Sequence, residues 1–290
     1  VKYRLSAAFA LLVLTLPALA EAPDRAKATV AYLRKLQTTE GGFAPAADKT
    51  KPSLRATSAA LRALKYFGGE APDKDAAARF VKSCHDKESG GFADAPGGKP
   101  DVATTAVGAM ALVEVGLPTG PYEAGILRYL GAHAKSFEEI RIAAAGLEAL
   151  GKRPPEAAGW LQQIVNERNA NGTFGGPHDA RTTGGATVVV LRLGGKVDDP
   201  AKLVAALNAG QHEDGAFGKD EPKDPSDLDT TYRVLRCYHM LKAKPDAARV
   251  LAFVEKCRND DGGYGVEPGK PSTVGATYNA GIIRHWLSGR

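Results

Sequence analysis

A turn of the form Gly-x-aromatic recurs along this chain: Gly41-Gly42-Phe43, Gly90-Gly91-Phe92, Gly172-Thr173-Phe174, Gly215-Ala216-Phe217 and Gly262-Gly263-Tyr264. The aromatics follow one another at about 45 residues, with a double interval between Phe92 and Phe174. The double interval hides a degenerate copy near Ser136-Phe137 that has lost its glycines, which makes six copies. A unit of this length buries its apolar face only against its neighbours, so the repeat decides the architecture before any single residue does.

Each copy has the same grammar. An amphipathic helix leads into the glycine turn, as from Lys27 to Gln37 with apolar Val30, Leu33 and Leu36. A loop rich in Pro, Asp and Lys follows, for example Ala44 to Ser53, and a second helix begins near a threonine. The second helices are apolar on most sides, as in Ala106-Val-Gly-Ala-Met-Ala-Leu112 and Val188-Val-Val-Leu191, which predicts an inner position; the first helices keep a polar face and belong outside. The terminal copies retain the full pattern, where an open array carries polar end repeats, so a closed ring is expected over an open solenoid. No strand alternation is present. The expectation is an all-α chain with residues 21–290 as one domain.

Composition narrows the function classes. A hydrophobic content of 43% with 24% charged residues supports a large core. Lys2 and Arg4, the apolar run Ala7 to Leu16 and the small residues Ala18-Leu19-Ala20 read as a secretory signal peptide over residues 1–20, and hence as an exported protein. The apolar run falls short of the roughly 20 residues of a spanning helix, and no later segment reaches it. The net charge of +5, two less without Lys2 and Arg4, comes with no Lys/Arg cluster interleaved with aromatics, which argues against nucleic acid. Cys84, Cys237 and Cys257 are an odd set without metal-ligand spacing; at least one stays unpaired within the chain, and Cys237 with Cys257 is a candidate bridge.

The turns Gln37-Thr-Thr-Glu-Gly41-Gly-Phe43 and Gln211-His-Glu-Asp-Gly215-Ala-Phe217 resemble the Gln-x-x-x-Gly-x-aromatic repeat of squalene–hopene-type terpenoid cyclases and protein prenyltransferase β subunits. The resemblance covers all six copies. It implies an α/α toroid of six helical hairpins, an inner and an outer ring of helices around a central cavity.

One inner-helix start stands out. Four place Ala before a threonine, as Ala56-Thr57, Ala103-Thr104, Ala186-Thr187 and Ala276-Thr277, and the fifth reads Asp229-Thr230. Asp227-Leu-Asp229-Thr230-Thr231-Tyr232 resembles the Asp-x-Asp-Asp-Thr-Ala motif of class II terpene cyclases, whose middle aspartate protonates an alkene or epoxide. The resemblance implies Asp229 as the acid and Asp227 as the neighbour that holds its proton by like-charge repulsion. Thr230 replaces an aspartate of that motif and Tyr232 its alanine. The competing role for both carboxylates is helix capping. The same stretch overlies the prenyltransferase zinc site. There Asp229 fits one ligand, whereas Thr231 and Ala276 stand where Cys and His belong, so neither zinc nor another cofactor is expected.

Tyr232 and Tyr278 are candidate cavity residues, and Arg233 a candidate for holding an anionic group. The functional expectation is an isoprenoid or other apolar small molecule, acted on or bound in the cavity. The alternatives are a secreted non-catalytic binding module on the same toroid and a polysaccharide-active toroid with paired carboxylates.

Overall fold

The computed structural model describes residues 23–219 and 224–288. The signal-peptide reading of residues 1–20 lies outside them. Twelve helices are present among the described residues, in six hairpins: α1 (Pro23–Arg34) with α2 (Leu54–Tyr66), α3 (Lys74–Ser83) with α4 (Val102–Glu114), α5 (Gly120–His133) with α6 (Phe137–Leu150), α7 (Ala157–Asn166) with α8 (Ala180–Arg192), α9 (Pro200–Ala209) with α10 (Leu228–Leu241), and α11 (Ala247–Lys256) with α12 (Val274–Leu287). Even-numbered helices pack on one another in order and α12 packs on α2, so the inner ring closes; the odd-numbered helices lie outside it. This is the expected α/α toroid, and the open solenoid is excluded. Among the described residues no helix is long and apolar enough to cross a membrane.

The glycine turn is the joint of each hairpin. Gly41, Gly215 and Gly262 all hold φ near +90° and press on the outer helix of the following copy, where a Cβ on Gly41 would lie 2.4 Å from the Ala76 carbonyl oxygen. Neither the backbone conformation nor the space admits a side chain. Gln37 shows what the glutamine of this turn does. Its amide donates to the Gly41 and Asp73 carbonyls at 2.9 and 2.7 Å and accepts from the Asp73 N–H at 2.9 Å, tying the turn to α3. The turn aromatics Phe43, Phe92, Phe217 and Tyr264 are fully buried, with Phe174 nearly so. The N–H of each donates to a threonine hydroxyl on its own inner helix: Thr57, Thr105, Thr183, Thr231 and Thr277, at 2.9–3.2 Å.

Those threonines correct the register read from the sequence. The equivalent residues are Thr57, Thr105, Thr183, Thr231 and Thr277, so the Ala-Thr pairing was one residue off at Thr104 and Thr230 and one helical turn off at Thr187. Small-residue helices offer several Ala-Thr pairs, and the turn hydrogen bond, not the pair, sets the register. Four residues before each threonine stands an N-cap whose side chain accepts a backbone N–H: Ser53, Asp101, Asp179, Asp227 and Thr273, with Ser136 in the degenerate copy. That copy has shed its turn, so α5 reaches α6 through Ala134, Lys135 and Ser136 alone.

Closure is made by the same bonds that join neighbours. The Leu54 N–H donates to the Asp94 carbonyl and the Leu228 N–H to the Val266 carbonyl, each one copy ahead; the Val274 N–H donates to Pro45, back in the first copy, at 2.9 Å. Thr29 Oγ1 donates to the Gly262 carbonyl at 2.7 Å, and Arg25 pairs with Glu255 across the same seam. The three cysteines are buried and free, so the Cys237–Cys257 bridge does not form. Burial pushes all three thiols up to about 12, which leaves them inert packing groups.

Candidate functional site

The inner helices enclose a cavity of about 710 Å³. Its wall is divided. Val107, Met110 and Val113 of α4 with Ile142, Ala145 and Ala149 of α6 form an apolar strip, bordered by Glu114 of α4 and by Glu138, Glu139, Arg141 and Glu148 of α6. The other side carries Asp229, Tyr232, Arg233 and Arg236 of α10, Tyr278 and Asn279 of α12, and Arg62 of α2. On α10 these residues repeat at i, i+3/i+4 and i+7, the spacing that puts side chains on one helix face.

The slot two residues past the N-cap lines the N-terminal end of the cavity in every copy but the fourth. In the corrected register it holds Arg55, Ala103, Glu138, Arg181, Asp229 and Gly275. The expectation of alanine in the sister copies is overturned, and Glu138 is a second carboxylate at the level of Asp229. Asp227 is the N-cap: it is buried, accepts the Thr230 N–H at 2.7 Å and the Thr230 hydroxyl at 2.9 Å, and does for α10 what Asp101 and Asp179 do for α4 and α8.

Asp229 opens onto the cavity and keeps solvent contact. The Asn279 amide donates to its Oδ1 at 2.5 Å. Burial, then the charge of Asp227, raises its pKa against the opposing pull of Lys219, Arg233 and Asn279. Glu138 goes the other way. Burial works to raise it, but Arg233 and Arg141, bonded to it at 2.8 Å each, outweigh that and hold it ionised. Asp229 and Glu138 thus lie at one level of the cavity with environments that push their pKa values in opposite directions, Asp229 upward and Glu138 downward.

Arg233 is therefore committed. It makes a two-point contact with Glu138 (2.8 and 3.3 Å), and Gly185 of α8 leaves the room its stem occupies. Tyr232 and Tyr278 do meet in the cavity, their oxygens 3.5 Å apart and their rings edge to face at 5.7 Å. Burial alone would raise the Tyr232 phenol; the guanidiniums of Arg236, Arg62 and Arg192 outweigh it and bring the phenol down to about 7. Tyr278 is pushed up, first by burial and then by negative charge on Tyr232, so the pair gives up one proton.

Arg62, Arg236, Asn279 and Trp286, which stacks on Tyr232 at 5.7 Å, escaped sequence reasoning. Counting from the N-caps would have found the first two: each is the ninth residue after its cap, Ser53 or Asp227. The zinc position is not rebuilt either. The Thr231 hydroxyl is turned to the Phe217 N–H, and among the described residues no three His, Cys, Asp or Glu side chains cluster as metal ligands. His212 contacts the Ser226 hydroxyl at 3.0 Å, and that hydroxyl donates to Asp214 at 2.8 Å. Asn259, Ser272 and Asp261 repeat the trio one copy later, which marks it as loop structure.

The model of the prenyltransferase alpha-alpha toroid domain matches residues 3–73, 69–127 and 126–283. Solved structures similar to the chain include the Candida albicans protein geranylgeranyltransferase-I complexed with GGPP, at 13% identity over 79% of this chain and 82% of that one, with a TM-score of 0.63. The type II terpene cyclase MstE from Scytonema is 14% identical over 91% and 96% of the two chains, with a TM-score of 0.60; a variant of it was solved with geranylgeranyl dihydroxybenzoate as substrate. A glycosidase variant in complex with glucose is 14% identical over 92% and 96%, with a TM-score of 0.61. No curated protein matches the chain at a significant level.

Proposed function

This chain belongs to the prenyltransferase α/α-toroid family, and on that premise we propose that its cavity takes an isoprenoid or other apolar chain, with Asp229 as the proton donor. The observation that carries the reading is the divided wall. The α4/α6 side offers an apolar strip of Val107, Met110, Val113, Ile142, Ala145 and Ala149 between charged residues at either end, and a carboxyl with a raised pKa faces it from α10. In the reaction this arrangement supports, the Asp229 O–H adds its proton to an alkene carbon. The neighbouring carbon becomes a carbocation, and the carboxylate left behind keeps the Asn279 hydrogen bond. The prenyl ligands of two of the similar structures support the substrate class.

Native mass spectrometry of the purified chain tests for a copurified apolar molecule, beside Asp229→Asn. A ligand retained by both but converted only by the unsubstituted chain supports the enzyme. A ligand retained and never converted makes the protein a binding module, and an empty cavity in both sinks the reading. Asp229 and Glu138 on one level favour a second reading, a polysaccharide-active toroid with Asp229 as acid and Glu138 as base. Release of reducing sugar that is lost in both Asp229→Asn and Glu138→Gln would move the assignment there. We also propose export, on residues 1–20; fractionation of producing cells checks it.

A further inference from the structure

We infer that the C-terminal half of the cavity is a receptor for an oxyanion head group, a carboxylate or a phosphate, held by Arg62 and Arg236 with the Tyr232 and Tyr278 hydroxyls. The site lies about 10 Å along the ring axis from Asp229, seven residues further down α10 at 1.5 Å each.

The cavity guanidiniums divide into two kinds. Arg55, Arg141, Arg192 and Arg233 each meet a carboxylate, in Asp101, Glu138, Glu148 and Glu138 respectively, at 2.8–3.2 Å. Arg62 and Arg236 meet none among the described residues. Their Nε atoms are buried without a partner, and their planes lie over the Tyr278 and Trp286 rings at 4.3 and 4.6 Å. A guanidinium taken from water and left without an anion is costly unless something completes it.

Their placement says what completes them. Both occupy the ninth residue after the N-cap, on α2 and α10, and these helices flank α12, so the two side chains converge. Arg62 Nη1 donates to the Tyr278 hydroxyl at 3.1 Å, Tyr278 donates to the Tyr232 oxygen at 3.5 Å, and Arg236 Nη2 donates to the same oxygen at 3.3 Å. While Arg62 Nη1 also reaches the Met110 sulfur at 3.6 Å, these bonds converge on the Tyr232 oxygen. The groups facing it are Arg236 on its own helix, Arg62 and Tyr66 of α2, Arg192 of α8, Arg141 of α6 and Tyr278 of α12, a positive surround. Glu148 of α6 is paired with Arg192, and Glu114 of α4 faces Tyr66. The guanidiniums that lower the Tyr232 phenol are the groups a bound oxyanion would neutralise, so binding raises that phenol again. The inference deepens the proposed function, since it gives the apolar chain a charged end and an orientation, with the head here and the chain running along α4 and α6 toward Asp229.

Isothermal titration of the full chain with decyl phosphate, decanoate, decanol and inorganic phosphate tests it, beside the Arg62→Gln/Arg236→Gln double variant. The expected result is at least about tenfold tighter binding of one decyl acid than of decanol. The tighter acid identifies the head. The double variant loses that preference and keeps its decanol affinity, Arg62→Lys/Arg236→Lys retains part of it, and melting of the glutamine variant at or above the original temperature shows that the loss is not unfolding. Binding of the acid at about pH 8 also removes one tyrosinate from the near-ultraviolet spectrum. Equal affinity for acid and alcohol, or a preference that survives in the double variant, overturns the inference. Arginine-dependent binding of inorganic phosphate with no decyl compound bound keeps the anion site and overturns the apolar-chain reading instead.

Discussion

The turn ring and the cavity wall are made by the same six hairpins, and they treat repetition in opposite ways. In the turns nearly every contact recurs: positive-φ glycine, buried aromatic, threonine hydroxyl, N-cap. In the wall equivalent positions diverge, so that the slot of Asp229 holds Arg, Ala, Glu, Arg and Gly elsewhere, and the slot of Arg236 holds Arg62, Met110, Ala145, Val188 and Ile282. A contact that recurs is explained by closing the ring. A charged group that appears in one or two copies, faces a void and has no carboxylate partner among the described residues is not explained that way. By this measure Asp227 belongs with the scaffold and Asp229 with the cavity wall, although they are two residues apart.

The contrast can be broken by substitutions taken from each side. Gly41→Ala should be the most damaging, because the new Cβ meets the Ala76 carbonyl in a backbone region that disfavours it; the expected loss is about 2–4 kcal/mol in urea unfolding. Thr231→Val should cost about 1–3 kcal/mol by stranding the buried Phe217 N–H. Asp227→Ala should cost about 1–2 kcal/mol as the loss of a buried cap. Asp229→Asn should change stability by less than about 0.5 kcal/mol at neutral pH while abolishing any turnover. A cost for Asp229→Asn equal to that of Asp227→Ala would erase the distinction between scaffold and site. The smallest signal is spectroscopic: one tyrosine should titrate near 7, and Tyr232→Phe should remove that step. The sign is fixed by linkage. A phenol whose folded pKa is depressed adds stability as pH rises from about 7 to about 10 and loses it on the way down, so the gap in stability between the original chain and Tyr232→Phe should widen over that window.

The ring was legible because its grammar is local. Glycine before an aromatic, a polar loop and an apolar helix each report on a few neighbouring residues, and their recurrence does the rest. The register was not, since Ala and Thr abound in the inner helices and only the bond from Phe92 to Thr105, or from Phe174 to Thr183, shows which threonine is the equivalent one. That slip hid Glu138, which shares a slot with Asp229, and it hid the kinship of Arg62 and Arg236. Arg233 was a sound guess from the sequence, but Glu138, far away in the chain, claims it. Asn279 was beyond reach for the same reason: its bond to Asp229 crosses between two copies.

The bond from Val274 to Pro45 makes the first hairpin the neighbour of the last, so the molecule has no structural beginning. An open array grows or shrinks by a unit without much disturbance. Here the number of units is locked, since a seventh would have to force its way into a completed circle and removing one of the six would leave two raw faces with nothing to meet. New properties then arise chiefly by exchanging side chains that look inward.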